Sequence, residues 1–408
     1  MRQSLIALCC VGCGFAPGSA GNNNGDPDGG ATGADAPNGF DSGSGTPFVA
    51  LHVPAGGQSA GTADLALTAS TTIDTDALTI GAPLPSGVTF DHWAQASGPE
   101  LAVLHVRGLS IGSSALVTVI GVRSLVVLAS EVIDVEGRID GGAKATRAGA
   151  AGSQAQAGAG AGGVGLNTQT YYDSGGGGAS YGTAGNSGGN STNSNNNPNL
   201  AGGAGGATQG TDLIASLVGG SGGGNADRLV CDTQTGGNGG AGGGAIQLST
   251  PSTISINGAV LTGGGGGAGG TNCVGDGENW GAGGGGGAGG AIVLQGSSVT
   301  VGGLVAANGG AGGGGAGAGN GDANGPGVHG YAGDDGGSAL AHGGGLQGGY
   351  SAEGGDGATG STVAKAGTAN TQGQGNGGGG GGGVGRILLK TEHATTPGTV
   401  SPAPKVMP

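Results

Sequence analysis

Between residues 133 and 140 the chain reads IDVEGRID, a run in which charged and apolar residues alternate. That period belongs to a β-strand, whose successive side chains point to opposite faces. With Ile133, Val135, Gly137 and Ile139 turned inward, Asp134, Glu136, Arg138 and Asp140 are expected together on the outer face. Carboxylates and a guanidinium so placed could serve as general acid, general base and charge stabiliser. The same alternation also describes an ordinary solvated strand. No neighbouring phrase adds a comparable cluster, so no catalytic residue is assigned and these four stand only as candidates for an enzymatic alternative.

The other residues able to do chemistry are scattered. His52, His92, His105, His329, His342 and His393 include no pair at metal-ligand spacing, so no metal is expected. GNSGG around Ser187 and GGSGG around Ser221 match a nucleophile pattern but lack the strand and helix that such an elbow needs. The G-x-G-x-x-G matches lack both an acidic partner and a helix, and no lysine sits in a phosphate-loop frame; no cofactor is expected. GDPDGG near Asp26, GDANG near Asp322 and GGDGATG near Asp356 place acids beside glycines without completing a calcium-binding nonapeptide. Asp334 and Asp335 read as a solvated loop, because calcium needs six or more convergent oxygens. Trp93, Trp280, Tyr171, Tyr172, Tyr181, Tyr331 and Tyr350 are the singular aromatics; the tyrosines all fall in glycine-rich tracts, where they would stack on sugars or close a glycine bundle.

The formal net charge of −14 argues against nucleic acid or an anionic membrane surface as a direct partner. Residues 5–11 after Arg2 are too short to span a bilayer and suit the apolar region of a secretory signal, so residues 1–20 read as an export segment. Cys13, preceded by Val11 and Gly12, resembles the bacterial lipobox, with Cys10 where that motif usually has leucine; the resemblance implies lipidation at Cys13 and a membrane contact through the lipid alone. Cleavage after Ala20, with Gly18 and Ala20 as the small residues, is the alternative. Export also bears on Cys231 and Cys273, which flank the GAIQL phrase and are expected to form a disulfide. Closing a loop of that length, about forty residues, would contribute roughly 3–4 kcal/mol.

Positioning all of these residues falls to a repeat. SLVVLASEVIDVEGRIDGG at 124–142, GAIQLSTPSTISINGAVLTGG at 244–264 and GAIVLQGSSVTVGGLVAANGG at 290–310 share one phrase, and GRILLKTEHATTPGTV at 385–400 is a decayed copy. Leu128, Leu248, Leu294 and Leu389 are placed as equivalents. In 47–142 short strands rich in Val, Ile, Leu and Thr follow one another; Leu104 and Val106 recur as Leu125 and Val127, and Leu109 near Val132, a spacing of about twenty-one to twenty-three residues. That spacing suits one turn of a right-handed parallel β-helix, and the fold expected is all-β with the phrases 244–262, 290–308 and 385–393 as later turns within 143–404. An antiparallel sandwich is the rival for 47–142, but it gives the later copies no common stack to rejoin.

Glycine supplies 112 of the 408 residues, most of them in the excursions 141–243, 263–289 and 309–383, so those tracts cannot build a side-chain core. Ordering them costs about 1–2 kcal/mol per residue with no hydrophobic return. Either they pack as polyglycine strands bonded through their backbones, or they stay disordered; composition leaves both open. Residues 21–46, made mostly of Gly, Asn, Asp, Ser, Pro and Ala with no Lys or Arg, read as a disordered acidic tether.

Tracts such as GGNGGAGGG at 236–244 resemble the repeats of mycobacterial PE-PGRS surface proteins, without that family's N-terminal domain. The GGAI-x-L phrases resemble glycine-rich bacterial β-helix adhesins and lipoproteins, including uncharacterised proteins of myxobacterial type. That resemblance implies a secreted or outer-membrane surface protein, structural or adhesive, with surface polysaccharide or matrix as partner and no catalytic residues to carry over. β-Helix polysaccharide lyases and glycosidases also place carboxylates on an outer face, which keeps the Asp134 to Asp140 cluster as the enzymatic alternative. Binding of ice or a hydration layer by flat repetitive faces is the third reading.

Overall fold

The computed structural model describes residues 48–81, 83–167, 172–192, 200–226, 236–271, 281–318, 327–345, 351–370 and 375–408. Cys13, Cys231, Cys273, Tyr171, Trp280, Tyr350, Asp26, Asp322 and the tether 21–46 lie outside them. Among the described residues there is no α-helix, and the strands form three long sheets of six, seven and seven strands.

Consecutive strands visit the sheets in rotation. Leu101–Val106 lies in the third sheet, Leu109–Ile111 in the first, Leu116–Ile120 in the second, and Ser124–Ala129 returns to the third beside Leu101–Val106. Each circuit repeats that order, and the pairing is parallel throughout except where Thr79–Ile80 and Thr89–Trp93 fold back antiparallel on the outermost strands. Side chains alternate along each strand, so every circuit sends one set of apolar residues into a shared interior. In the first sheet Leu65, Leu109, Ile133, Ile254 and Val299 align; in the third, Leu104, Val127, Leu248, Leu294 and Leu389. All ten belong to one buried cluster.

The register corrects three expectations. Leu104 pairs with Val127, not Leu125, and Val106 with Ala129, not Val127, so the uninterrupted circuit is two residues longer than the repeat suggested there. Leu109 pairs with Ile133, beside Val132 where the repeat points. Leu128 pairs with Ser249 and faces away from the interior, whereas Leu248, Leu294 and Leu389 face into it. In SLVVLA every residue after Ser124 is apolar because the strand is buried on both faces, so the apolar pattern there does not set its parity.

All three glycine-rich excursions leave at the same corner. Each departs after a second-sheet strand, at Asp140, Leu261 or Ala306, and returns to a third-sheet strand at Ala245, Ala291 or Arg386. Their glycine segments lie side by side and bond through the backbone. Gly283, Gly286 and Gly289 donate to the carbonyls of Gly377, Gly380 and Gly383; Gly284, Gly287 and Gly290 to Ala268, Gly265 and Thr262; Gly285 and Ala288 to Gly224 and Ser221. Every third N–H therefore meets the same neighbour. The carbonyls of this segment in turn accept from 176–179, 310–313 and 237–243, so it is surrounded by six others. Close approach requires glycine here: a Cβ on Gly287 would collide with the carbonyl of Ala241.

The bundle is also joined to the sheets. Tyr181, Ile214 and Leu217 pack with Val126, Leu128, Val293 and Leu388 on the outer face of the third sheet. That face is thereby closed to solvent.

Candidate functional site

The run 133–140 is two strands and not one. Ile133–Val135 pairs in the first sheet and Arg138–Asp140 in the second, with the chain turning between them at Glu136 and Gly137. Gly137 permits that turn because a Cβ there would strike the carbonyls of Gly112 and Ala115. Asp134 consequently stands on the first sheet between Ser110 and Ser255, while Asp140 is buried against Arg138 Nη2 at 2.7 Å, Lys144 Nζ at 3.5 Å and the Gly142 N–H at 3.0 Å. The expected common outer face of Asp134, Glu136, Arg138 and Asp140 does not form, and the two aspartates do not face one reacting atom. Ile133, Val135 and Ile139 do point inward.

Remaining charged groups clamp neighbouring circuits. Arg107 bonds Asp64 bidentately and reaches Glu131 at 4.0 Å, and Arg123 bonds Glu100 at 2.8 Å. The Arg107 guanidinium holds the Asp64 carboxyl below its ordinary range. His105 is buried between the Ser59 carbonyl and Asp91 Oδ1. Ser221 is buried with its hydroxyl accepting from the Gly160 N–H, and Asp335 accepts from the Ala145 and Gly266 N–H groups. Among the described residues no group of three or more His, Cys, Asp or Glu could hold a metal ion. Nor is any helix there long and apolar enough to cross a membrane.

A cavity of about 230 Å³ opens where the last circuit meets the bundle, lined in part by Thr183, Asp212, Arg386, Pro402, Pro404 and Lys405. Arg386 is committed to structure within it: the guanidinium lies 5.7 Å from the Tyr181 ring centre, pairs with Asp212 and donates to the carbonyls of Gln209 and Gly210. Tyr181 and Tyr172 are buried, so two of the tyrosines close the bundle and do not present a ring to solvent; Tyr331 is 54% exposed.

The strand ends of the bundle are sorted. Hydrogen bonds tie these ends to one another: Ser174 to Leu166, Ser191 to Leu200, Ala226 to Gly237, Gly237 to Ala282, Gly281 to Thr271, Ala316 to Gly281, Gly315 to Ala352 and Thr192 to Gly375. They gather at the end of the bundle opposite the corner where it joins the sheets.

No family model, curated protein or solved structure matches this chain.

That end is the candidate functional site. The sequence between the gathered strand ends is where side chains return: 193–199 is NSNNNPN, 227–235 is DRLVCDTQT and 272–280 is NCVGDGENW, each flanked by glycine tracts. The glycine excursions are visible in the sequence; the gathering of their described flanks at one end, away from the sheets, is not. The signal for it is the recurrence of glycine-poor segments, starting at 193, 227 and 272, between glycine tracts.

Proposed function

We propose that this is an exported, surface-attached structural or adhesive protein. On this reading the three sheets are the walls of a right-handed parallel β-helix, the hand that parallel crossovers strongly favour, and the bundle is polyglycine II. Its scaffold gathers the described ends that flank 193–199, 227–235 and 272–280, so that weak contacts from these side-chain-rich segments to polysaccharide or matrix add up through a high effective concentration. The observation that carries the proposal is the gathering of the strand ends around Leu166, Leu200, Gly237, Thr271 and Gly281 at the free end of the bundle.

Attachment follows from residues 1–46, by lipidation at Cys13 or, after cleavage behind Ala20, by other means. A Cys231–Cys273 disulfide belongs to the same proposal; both cysteines lie outside the described residues, and the described segments that follow them are joined through the Gly237 N–H and the Ala282 carbonyl at 2.9 Å.

The test is binding of the purified protein to cells, matrix and a panel of polysaccharides. A variant with 193–199, 227–235 and 272–280 replaced by Gly/Ser segments of equal length is expected to lose at least tenfold in apparent affinity while keeping its β signal. Equal binding by both, or none by either, would overturn the adhesive reading.

A further inference from the structure

Residues 48–58 do not begin the first circuit. They run across the outer face of the third sheet and attach to strands that come about two hundred residues later. The Leu51 N–H donates to Gln295 Oε1 at 2.7 Å, and Gln295 Nε2 donates to the Val49 carbonyl at 2.8 Å. Gln247 Nε2 donates to the Leu51 carbonyl at 2.6 Å, and Gln247 Oε1 lies 2.6 Å from His52 Nδ1. The other His52 nitrogen reaches the Ile214 carbonyl in the bundle. His52 adopts φ of 64°, a left-handed conformation uncommon for a side chain of its size, which the surrounding contacts hold in place.

Gln247 and Gln295 are fixed for this role. Both lie on the outer face of their strands, one circuit apart, with Ser249 between them donating to Gln295 Oε1 at 3.2 Å and accepting from Gln247 Nε2 at 2.9 Å. Both glutamines are buried, at 0% and 3% exposure, so their amides have exchanged water for the backbone of this segment. Ala50 and Val53 pack into the same apolar cluster as Val126, Leu128 and Val293. At the far end Gln58 closes the loop, with Nε2 donating to the Ala50 and Val53 carbonyls and Oε1 accepting from the Ala50 N–H. Gly56 and Gly57 lie against the Trp93 ring.

The first strand after this segment is weakly placed. Leu65–Leu67 has three residues, sits at the edge of the first sheet and pairs only with Leu109–Ile111. Traction from the N-terminal side, applied to that strand, would peel the sheets open from their edge, one short strand at a time. Applied at Phe48, it meets first the bonds to Gln295 and Gln247, which lie on interior strands paired on both sides.

We propose that residues 48–58 are a mooring strap, which passes load from the N-terminal segment into the interior strands of the third sheet and shields the edge strand Leu65–Leu67 from it. The inference stands on the strap's own contacts and holds whatever the free end of the bundle binds.

Optical tweezers test it on the full chain, held at its N-terminus and at a tag inserted after Val363, a residue 81% exposed in a turn of the bundle. Forced unfolding reads the barrier of the element that yields first. The wild type is expected to show no release of the strap before the sheets yield. The Gln247→Leu/Gln295→Leu double variant is expected to release about eleven residues as a separate early step of roughly 35–40 Å, at clearly lower force. Gln295→Ala alone, which removes the bonds to Leu51 and Val49 and keeps those of Gln247, should give the same early step and keeps the test decisive if the double variant does not fold. An early step in the wild type, or a first rupture in Gln295→Ala at the wild-type force with an unchanged circular dichroism spectrum, would overturn the proposal. Binding measured on the same variants separates this outcome from failure of the adhesive reading.

Discussion

Gly287 and Gly337 are the same residue in opposite surroundings. In the middle of the bundle, Gly287 donates to Gly265 and has the Ala241 carbonyl where a Cβ would be; around Gly337 nothing lies within 4 Å. Alanine at 287 must push a backbone carbonyl aside, and that carbonyl belongs to a segment itself bonded on several sides. Overpacking of this kind typically costs about 1–3 kcal/mol, and with backbone as the obstacle the upper end is expected. Alanine at 337 should be neutral or stabilising by about 0.4–1 kcal/mol, because it restricts the unfolded chain without a clash. Urea denaturation of Gly287→Ala and Gly337→Ala separates them. Equal stability of the two variants would mean that the close backbone contacts in the bundle do not constrain the fold.

Among the elements, the joint between Arg386–Lys390 and the first excursion carries a titratable group that reports on it. Burial pushes the Tyr181 hydroxyl up to about 12, although the Arg386 guanidinium above its ring draws it the other way. A folded pKa above the unfolded one means that stability is intact below about pH 10, where both states hold the proton, and is lost as pH rises toward 12. Two units correspond to on the order of 2–3 kcal/mol. Tyr181→Phe lacks this group, so the wild type should lose its advantage over that variant between pH 9 and 12, measured by urea denaturation across that range. A constant difference would place Tyr181 in contact with solvent. The strand phrases around this joint are legible from the repeat because each circuit must deliver apolar side chains to one interior, which is why Leu248, Leu294 and Leu389 could be placed. What misled was burial on both faces: in SLVVLA the outward Val126 and Leu128 are as apolar as the inward Leu125 and Val127, so Leu128 is matched to Leu248 although it pairs with Ser249. The 133–140 cluster failed for another reason. Alternation continues through a turn whenever the turning residues happen to be charged and small, and Glu136–Gly137 is such a pair. Polar residues at Gln247 and Gln295 carried no signal of their own, since their partners lie in a segment about two hundred residues away in sequence.

The bundle depends on the whole chain. The segment 281–290 draws its neighbours from all three excursions: 176–179, 221–224 and 237–243 from the first, 262–268 from its own, and 310–313 with 377–383 from the last. A net hydrogen bond contributes about 0.5–1.5 kcal/mol, whereas ordering a residue costs about 1–2 kcal/mol. One bond per glycine is therefore not enough for an isolated excursion, and the bundle needs its ends fixed by the sheets and every neighbour in place. In the full chain, amides of 283–290 should exchange with solvent as slowly as those of Ser124–Ala129 in the third sheet. A chain ended after residue 370 lacks the acceptors of Gly377, Gly380 and Gly383. Protection should then fall first at Gly283, Gly286 and Gly289, every third residue, and afterwards through the rest of the bundle, while Leu101–Val106 and Ser124–Ala129 remain protected. Hydrogen exchange read by mass spectrometry or NMR decides it. Unchanged protection of 283–290 in the shortened chain would mean that the excursions fold independently, and the bundle would then be a set of separate hairpins and not one cooperative unit.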